Sequence, residues 1–545
     1  MQQIELPEGY YHRNFNTLIE HAQNHYSDLL HRDELEWIKD YDSLHIEAQR
    51  LLVRLFSRKG EWFRSDKLRY AEIPDLNRAF EQLARLSFIS LPDAIDTEIL
   101  CRSILTKPEV LKLFPQLGKS LSKSNLVQQA CEECTEITTG QLHFTLIHLE
   151  YSAFLGTLTT LFFANARQDL SQFVLSDLGL HQFEQYSLSK ELRFFNRRAE
   201  VEQLLSLAQI SDRYYQMEKS ASKTEKLEYL SALLKALIEA MPASIEHSYV
   251  SRRYQRLINI IARDFERLQD YDKAIALFEQ STLAPSRERR VRMLIKHDRL
   301  NEAKNLVNQM LEAPQDEPEH EVAQRLHQQL NRKLGIKAVR ASKPNIASYR
   351  IELNLSAQKV ESAVAHHLDQ SGWQAYFLEN TFLTGLFGLA FWDVIYAPIE
   401  GAFLNAYQVG PKDLYTPEFT EKRQQLIDTR KEELQRLGFA ELERVYQCKQ
   451  GLTNPFVHWP MFDLAVLQHA KRCLSMEELL GLFEVILGDI RSFRTGMPDL
   501  IAFKDNDYRW IEVKGPGDKL QDNQIRWFKQ FSKLGIKAEV CYVNH

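Results

Sequence analysis

Cysteine is scarce in this chain, six residues in 545. That density excludes a disulfide-stapled secreted scaffold and points to a reducing compartment. The one close pair, Cys131 and Cys134 in CEECTE, lacks the second CxxC or spaced His pair of a tetrahedral zinc site. Its flanking glutamates raise a thiol pKa rather than lower it, so no redox dithiol is expected. Long apolar runs are missing too. The longest uncharged stretch, Tyr151 to Ala166, falls short of the roughly 20 residues a membrane helix needs. The start, MQQIELPEGYYHRN, has no apolar signal core. The expected location is the cytoplasm, with action at the nucleoid and no membrane partner. Glycine (20) and proline (17) are too few for a collagenous or low-complexity chain. A basic excess is also absent: the net charge is −6, which argues against a dedicated nucleic-acid-binding domain read from averages alone. What remains is an ordinary globular composition, long enough for about three or four domains.

Charge is unevenly placed, however. Arg54–Arg69 (RLFSRKGEWFRSDKLR) carries six basic residues against two acidic ones. Arg54, Arg58, Lys59 and Arg64 are candidate DNA contacts, and the interleaved Phe56, Trp62 and Phe63 either meet bases or fill a core. Just upstream, Leu44, Ala48, Leu51, Leu52 and Leu55 recur at helical spacing, so residues 1–100 read as a helical DNA-binding domain. In residues 105–133, Pro108 suits a first helical turn, Leu117-Gly118 a helix stop, and SLSKSNLVQQA a second helix. Lys107, Lys112, Lys119 and Lys123 run along this pair. The pattern resembles a SAP module, a small helix–turn–helix that grips the DNA backbone, and is assigned to 101–140. From 141 to 335 the chain reads as a buried helical linker, including FVLSDLGLHQFEQY, followed by irregular repeats. Ala274 in DYDKAIALFEQS and Ala303 in HDRLNEAKNLVNQM align, with Phe278 and Val307 four residues on. Small residues where helices approach closely resemble tetratricopeptide-type pairs. Such an array could dock repair-protein partners.

Residues 336–545 change character. KAVRASKPNIASYR reads as a link; a helix stripe at Val360, Val364 and Leu368 precedes GWQAYFLEN and a long apolar helix, TFLTGLFGLAFWDVIY. DLIAF and RWIEVK then read as strands, QDNQIRWFKQFSKLG as a helix and AEVCYV as a last strand. Asp499 opens the first strand, and Glu512 and Lys514 lie two apart on the next. Strand alternation sends Glu512 and Lys514 to one face and Ile511 and Val513 to the other. Two neighbouring carboxylates repel, and a divalent cation with a preference for oxygen, Mg²⁺ or Mn²⁺, relieves that. A lysine beside them can orient a water or stabilise charge on a pentacoordinate phosphate. Taken singly, Pro-Asp is a common turn and Glu-x-Lys a common exposed strand face. Together they spell PD…(D/E)xK, a phosphodiesterase constellation.

The run TGMPDLIAF…YRWIEVKGPGDKLQDNQIRWFKQFSKLGIKAEVCYV resembles the VRR-NUC domain of the Fanconi-anaemia-associated nuclease family. FWDVIYAPIEGAFLNAYQVGPKDLY, ANARQDLSQFVLSDLGL and RLFSRKGEWFRSDKLRYAEI are similar to further segments of that family, as is the order SAP, helical repeats, nuclease. The resemblance takes in no ubiquitin-binding zinc finger, so the shorter bacterial form is the expectation. The resemblance implies a multidomain, mostly α chain ending in an α/β, restriction-endonuclease-like domain. It implies catalysis by Asp499, Glu512 and Lys514, and metal binding by Glu379, Asp499, Glu512 and the Val513 carbonyl. Asp518 and Lys519 match the family pattern, while Gln524 either orients a phosphate or caps packing. Arg491 matches one residue of a 5′-phosphate pocket that some members carry; Asn523 stands where that pocket's later basic residue would be. Arg494 is a DNA contact or a surface charge. The implied activity is 5′-flap incision with 5′-to-3′ degradation of branched or flapped DNA, in repair of crosslinks or stalled forks. Open alternatives are a Holliday-junction resolvase or restriction-type enzyme on the same core, and a non-catalytic repair scaffold.

Overall fold

The computed structural model describes residues 9–166, 182–336, 345–355 and 358–544. The chain divides into two compact units: Met1–Leu180 with Phe195–Ala208, and His181–Phe194 with Gln209–His545. Most of FVLSDLGLHQFEQY and part of the linker KAVRASKPNIASYR lie outside the described residues.

In the first unit, the expected stripe forms one face of the helix Ile46–Phe56 and its approach, with Ala48, Leu51, Leu52 and Leu55 fully buried. Three strands, β1 (Trp62–Arg64), β2 (Ile89–Ser90) and β5 (Leu146–Leu149), pair antiparallel in the order β1-β5-β2. The basic patch's aromatics pack within the unit: Phe63 is buried, Trp62 packs on His148, and Phe56, at the end of the preceding helix, stacks on Phe15. These rings serve the core rather than bases. The SAP-like pair is Lys107–Leu113 and Lys123–Glu133. Thr106 and Glu109 close a reciprocal capping box on the first helix, and Ser122 caps the second, satisfying end N–H groups that would otherwise cost stability. The core of the pair takes in Ile95, Ile137, Phe144 and Leu146. A short hairpin, β3 (Ala94–Asp96) with β4 (Glu136–Thr138), closes it. The helix pair thus packs with residues on both sides of it in the chain, since two short helices bury little apolar area alone.

The second unit holds the repeats and the α/β domain together. Helices Ser248–Arg267, Tyr271–Glu279, Ser286–Lys296, Leu300–Glu312 and Glu317–Lys333 each pack on the next. Ala274 and Ala303 are fully buried where helices meet, with Phe278 and Val307 beside them. The sheet has the order β6-β10-β9-β8-β7, built from β6 (Ala347–Glu352), β7 (Gln374–Phe377), β8 (Leu500–Lys504), β9 (Asp507–Lys514) and β10 (Ala538–Asn544). β8 runs antiparallel to β7 and β9, while β10 is parallel to β9 and β6. The stretch read as a link thus supplies an edge strand. It alternates, with Tyr349 and Ile351 partly buried against the apolar layer and Ser348, Arg350 and Glu352 exposed.

Both faces of β8 and β9 are covered. Leu500, Ala502, Ile511 and Val513 pack against Val364 and Leu368 of the helix Val360–Gln370. Ile501, Phe503 and Trp510 pack on the other side with Phe382, Trp527 and Phe531. The apolar run that follows Glu379 becomes two helices, Phe382–Ala390 and Trp392–Ile395, the first buried along its whole length. Among the described residues no helix is long and apolar enough to cross a membrane.

Candidate active site

The register of β8 on β9 ends with Leu500 opposite Ile511, so one step further Asp499 faces Glu512. Alternation holds: Ile511 and Val513 join the apolar layer under the helix Val360–Gln370, which sends Glu512 and Lys514 to the opposite face. Asp499 Oδ2 accepts from the Val513 N–H at 2.8 Å. Glu512 Oε1 accepts from Lys514 Nζ at 2.7 Å and from Gln524 Nε2 at 2.6 Å. Gln524 is buried near the start of the helix Asp522–Leu534, where its own carbonyl oxygen caps the Gln521 N–H. It therefore orients the Glu512 carboxylate.

The site is short of positive charge. Glu512 is completely buried, and its Oε2 has no hydrogen-bond partner. Burial, reinforced by the charge of Asp499, pushes the Glu512 carboxyl up to about 8, against the pull of Lys514. Asp499 also moves up, mainly through burial; the Val513 N–H opposes this and the charge of Glu379 adds to it. The two strand acids titrate as a pair whose second charge the interior resists. Glu379, at the corner between β7 and the helix Phe382–Ala390, is half-buried and holds one oxygen against Asn380. Glu361, in the first turn of the helix Val360–Gln370, is a further acid whose charge reaches Asp499; no motif marks it in the sequence.

No group of three or more His, Cys, Asp or Glu side chains among the described residues forms a ready ion cage. What the site offers is a pair of carboxylates, the buried Oε2 without a partner, and a half-buried third acid. That donor set fits a hard divalent cation that keeps several waters, and does not fit a closed structural site.

The loop that delivers Asp499 is fixed by close contact. Gly496 has φ +91°, and a Cβ there would lie 2.8 Å from the backbone carbon of Asn523. Only glycine allows that approach. Asn523 accordingly acts as a wall for this loop.

The remaining expected residues divide by partner. Arg491 and Arg494 are exposed beside the short helix Ile490–Phe493, with Arg494 over the Tyr415 ring at 4.9 Å. Lys519 is exposed. Sequence reasoning missed Arg253, Arg256 and Lys412 in the same unit. Burial lowers the Arg256 pKa, and the charges of Arg491, Arg253 and Arg252 lower it further. Lys412 is likewise lowered by burial and by Arg253. Cations crowded this way favour an anion. The signal was the SRRYQR spacing on one helix, unreadable without knowing that Arg491 folds beside it. In the first unit, Arg58, Lys59, Lys112 and Lys119 are exposed, and Lys123 Nζ donates to the Arg102 carbonyl. Arg54 instead binds Glu72 through Nε at 3.0 Å and Nη2 at 2.5 Å, over the Tyr11 ring. Arg64 is buried between Asp66 and Glu109. Both guanidinium groups are committed to structural carboxylates.

Comparison with known proteins agrees with this geometry. The VRR-NUC domain family matches residues 440–545, and the FAN1 HTH domain family matches residues 9–90. A Fanconi-associated nuclease 1 homolog from Pseudomonas aeruginosa is 34% identical, covering 99% of this chain and 96% of its own. The human Fanconi-associated nuclease 1 is 24% identical over 98% of this chain and 62% of its own. The crystal structure of paFAN1 bound to DNA with a 2-nt 5′ flap and a gap superposes with TM-score 0.85 at 32% identity, over 99% of both chains. A match of that extent, with the carboxylate pair and lysine placed on adjacent strands, means that the chain belongs to the Fanconi-associated nuclease family, DNA nucleases that hydrolyse phosphodiester bonds with a divalent metal.

Proposed function

We propose that this chain incises DNA near 5′ flaps and branch points and degrades it 5′ to 3′, in repair of crosslinked or stalled DNA. The observation that carries the reading is the pairing of Asp499 with Glu512 beside Lys514, with one buried carboxylate oxygen left unpartnered. The flapped substrate in the paFAN1 complex supports the choice of DNA structure.

In this reading Asp499, Glu512, Glu379 and the Val513 carbonyl hold one or two Mg²⁺ or Mn²⁺ ions. Such an ion supplies charge neutralisation and a water of lowered pKa. Gln524 keeps Glu512 oriented while the carboxylate gives up its bond to Lys514. The freed Lys514 ammonium then faces the scissile phosphate, orients the attacking water and offsets charge on the pentacoordinate phosphorus. Arg253, Arg256, Lys412 and Arg491 hold a phosphate near the site, with Arg494 and Lys519 on the same strand's path. Arg58, Lys59, Lys112, Lys119 and Lys123 hold duplex phosphates, so affinity falls steeply with salt. Branch preference comes from shape and bendability rather than base readout. The helical repeats offer a docking surface for repair proteins, and the site of action is cytoplasmic DNA.

The test is a panel of end-labelled 5′-flap, four-way-junction and linear duplex DNA, with Mn²⁺ or EDTA, for wild type and Asp499→Ala. The expected result is metal-dependent cutting that favours the flap, with slower 5′-to-3′ loss of label from the linear duplex, both abolished in the variant. Preference for the four-way junction would select the resolvase reading. Equal cutting by Asp499→Ala would end the mechanism, and no cutting by wild type would leave the scaffold.

A further inference from the structure

Asn380 stands between two segments that bring carboxylates to the site. It follows Glu379 and adopts left-handed backbone, φ 55°. Its amide nitrogen donates to Glu379 Oε1 at 2.9 Å, and its amide oxygen accepts from the Met497 N–H at 3.1 Å. Met497 lies two residues before Asp499. The amide has no freedom to flip, because a carboxylate only accepts and a backbone N–H only donates. Behind it, Thr384 Oγ1 donates to the Asn380 carbonyl at 2.6 Å, tying the turn to the buried helix Phe382–Ala390. On its other side, the loop carrying Met497 rests against Asn523 through Gly496. The loop that presents Asp499 is thus held from two directions, and Asn380 also holds Glu379.

We propose that Asn380 is a positioning residue: by bridging Glu379 to the Met497 N–H it fixes the third carboxylate relative to Asp499 and so sets the affinity of the site for a divalent cation. The inference rests on the assignment of Glu379 and Asp499 as ligands given above. A glutamate side chain on a loop corner has three torsions to restrain, and holding one oxygen leaves the other aimed and available. Partners of this kind around ligating groups are worth about 10–100-fold in metal affinity.

A simpler role exists for Asn380, that of a residue chosen only because it tolerates φ > 0. Glycine separates the two. It adopts that backbone at no steric cost, so Asn380→Gly preserves a mere turn and destroys the bridge. The experiment titrates the full chain with Mn²⁺ in the absence of DNA, following free Mn²⁺ by electron paramagnetic resonance. Asn380→Gly is expected to weaken binding about tenfold, and Asn380→Ser, whose hydroxyl is too short to span both partners, to do the same. In a Glu379→Ala background, Asn380→Gly should cost clearly less, since only its hold on the Met497 N–H is left to lose. Wild-type affinity in Asn380→Gly, an equal loss in both backgrounds, or a glycine variant that fails to fold each overturns the proposal. Asp499→Ala serves as the separate control. If it binds Mn²⁺ as wild type does, the ligand assignment itself falls, whatever Asn380 does.

Discussion

Two clusters in this protein have the same stoichiometry, two carboxylates and one cation, and behave in opposite ways. In the first unit Arg64 joins Asp66 through Nε at 3.0 Å and Nη2 at 2.9 Å, and Glu109 at 2.8 Å. Glu109 also accepts from the N–H and hydroxyl of Thr106. Its bond to Arg64 brings its carboxyl down to about 2, and Asp66 falls for the same reason. In the second unit Lys514 stands beside Asp499 and Glu512, yet both acids move up. Burial is the difference. The side chains of Asp66 and Glu109 keep 31% and 23% exposure, so water shares the load, whereas Glu512 keeps none and has an oxygen with no partner. Charge count alone does not separate the two clusters; unsatisfied, desolvated charge does, and it marks the second as the candidate for chemistry.

The sharpest way to break the comparison is to neutralise one member of each cluster. Glu512→Gln removes charge that the fold resists but the reaction needs. Flap cleavage in Mn²⁺ should fall about a thousandfold, while the melting temperature in EDTA at pH 8 holds or rises. Arg64→Met should do the reverse. It removes the charged hydrogen bonds that two partly exposed carboxylates share, at a cost of about 2 kcal/mol, and leaves cleavage per folded molecule unchanged. Single-turnover rates and thermal melts on the two proteins decide it. A large loss of stability in Glu512→Gln would put both clusters in the same class.

A proton titration sharpens the same contrast. Glu109 is lowered from 4.5 to about 2, so its stabilisation is present above 4.5 and lost as pH falls through 2. Glu512 is raised from 4.5 to about 8; its contribution is complete below 4.5 and lost as pH rises through 8. Melting temperature in EDTA should therefore decline at both ends, over different residues. Because a cation needs the ionised acids, Mn²⁺ should restore the alkaline side only. An alkaline decline that Mn²⁺ leaves untouched would assign it to another group.

These clusters also mark how far the sequence can be read. Asp499, Glu512 and Lys514 were legible because strand alternation fixes which side chains share a face, and because apolar residues flank both strands. The helical stripe at Leu51 and Leu55 and the small residues Ala274 and Ala303 were legible for a related reason: burial follows local period. Arg64 was not. A basic run looks the same whether its members meet phosphate or a carboxylate 45 residues away, as Glu109 is. Glu361, Asn380 and Arg256 escaped because their roles come from long-range packing and not from spacing. The edge strand β6 does alternate, Tyr349 and Ile351 against Arg350 and Glu352, and was hidden because its polar, proline-bearing approach reads as a link.

The smallest expected effect tests the same division among the basic residues of the first unit. If Lys59 and Lys119 meet DNA phosphates, each alanine variant removes one contact, and the slope of log affinity against log salt should flatten by about 0.9. Arg54→Ala removes a guanidinium already bound to Glu72, so the slope should stay as in wild type while the melting temperature drops. Slope isolates phosphate contacts from folding, since a destabilised protein that still binds keeps its counterion count. Flap binding measured in Ca²⁺ between low and moderate salt gives all three slopes. An Arg54→Ala slope as flat as that of Lys59→Ala would mean that Glu72 releases its partner to DNA, and that an ion pair seen in the free protein does not commit a side chain.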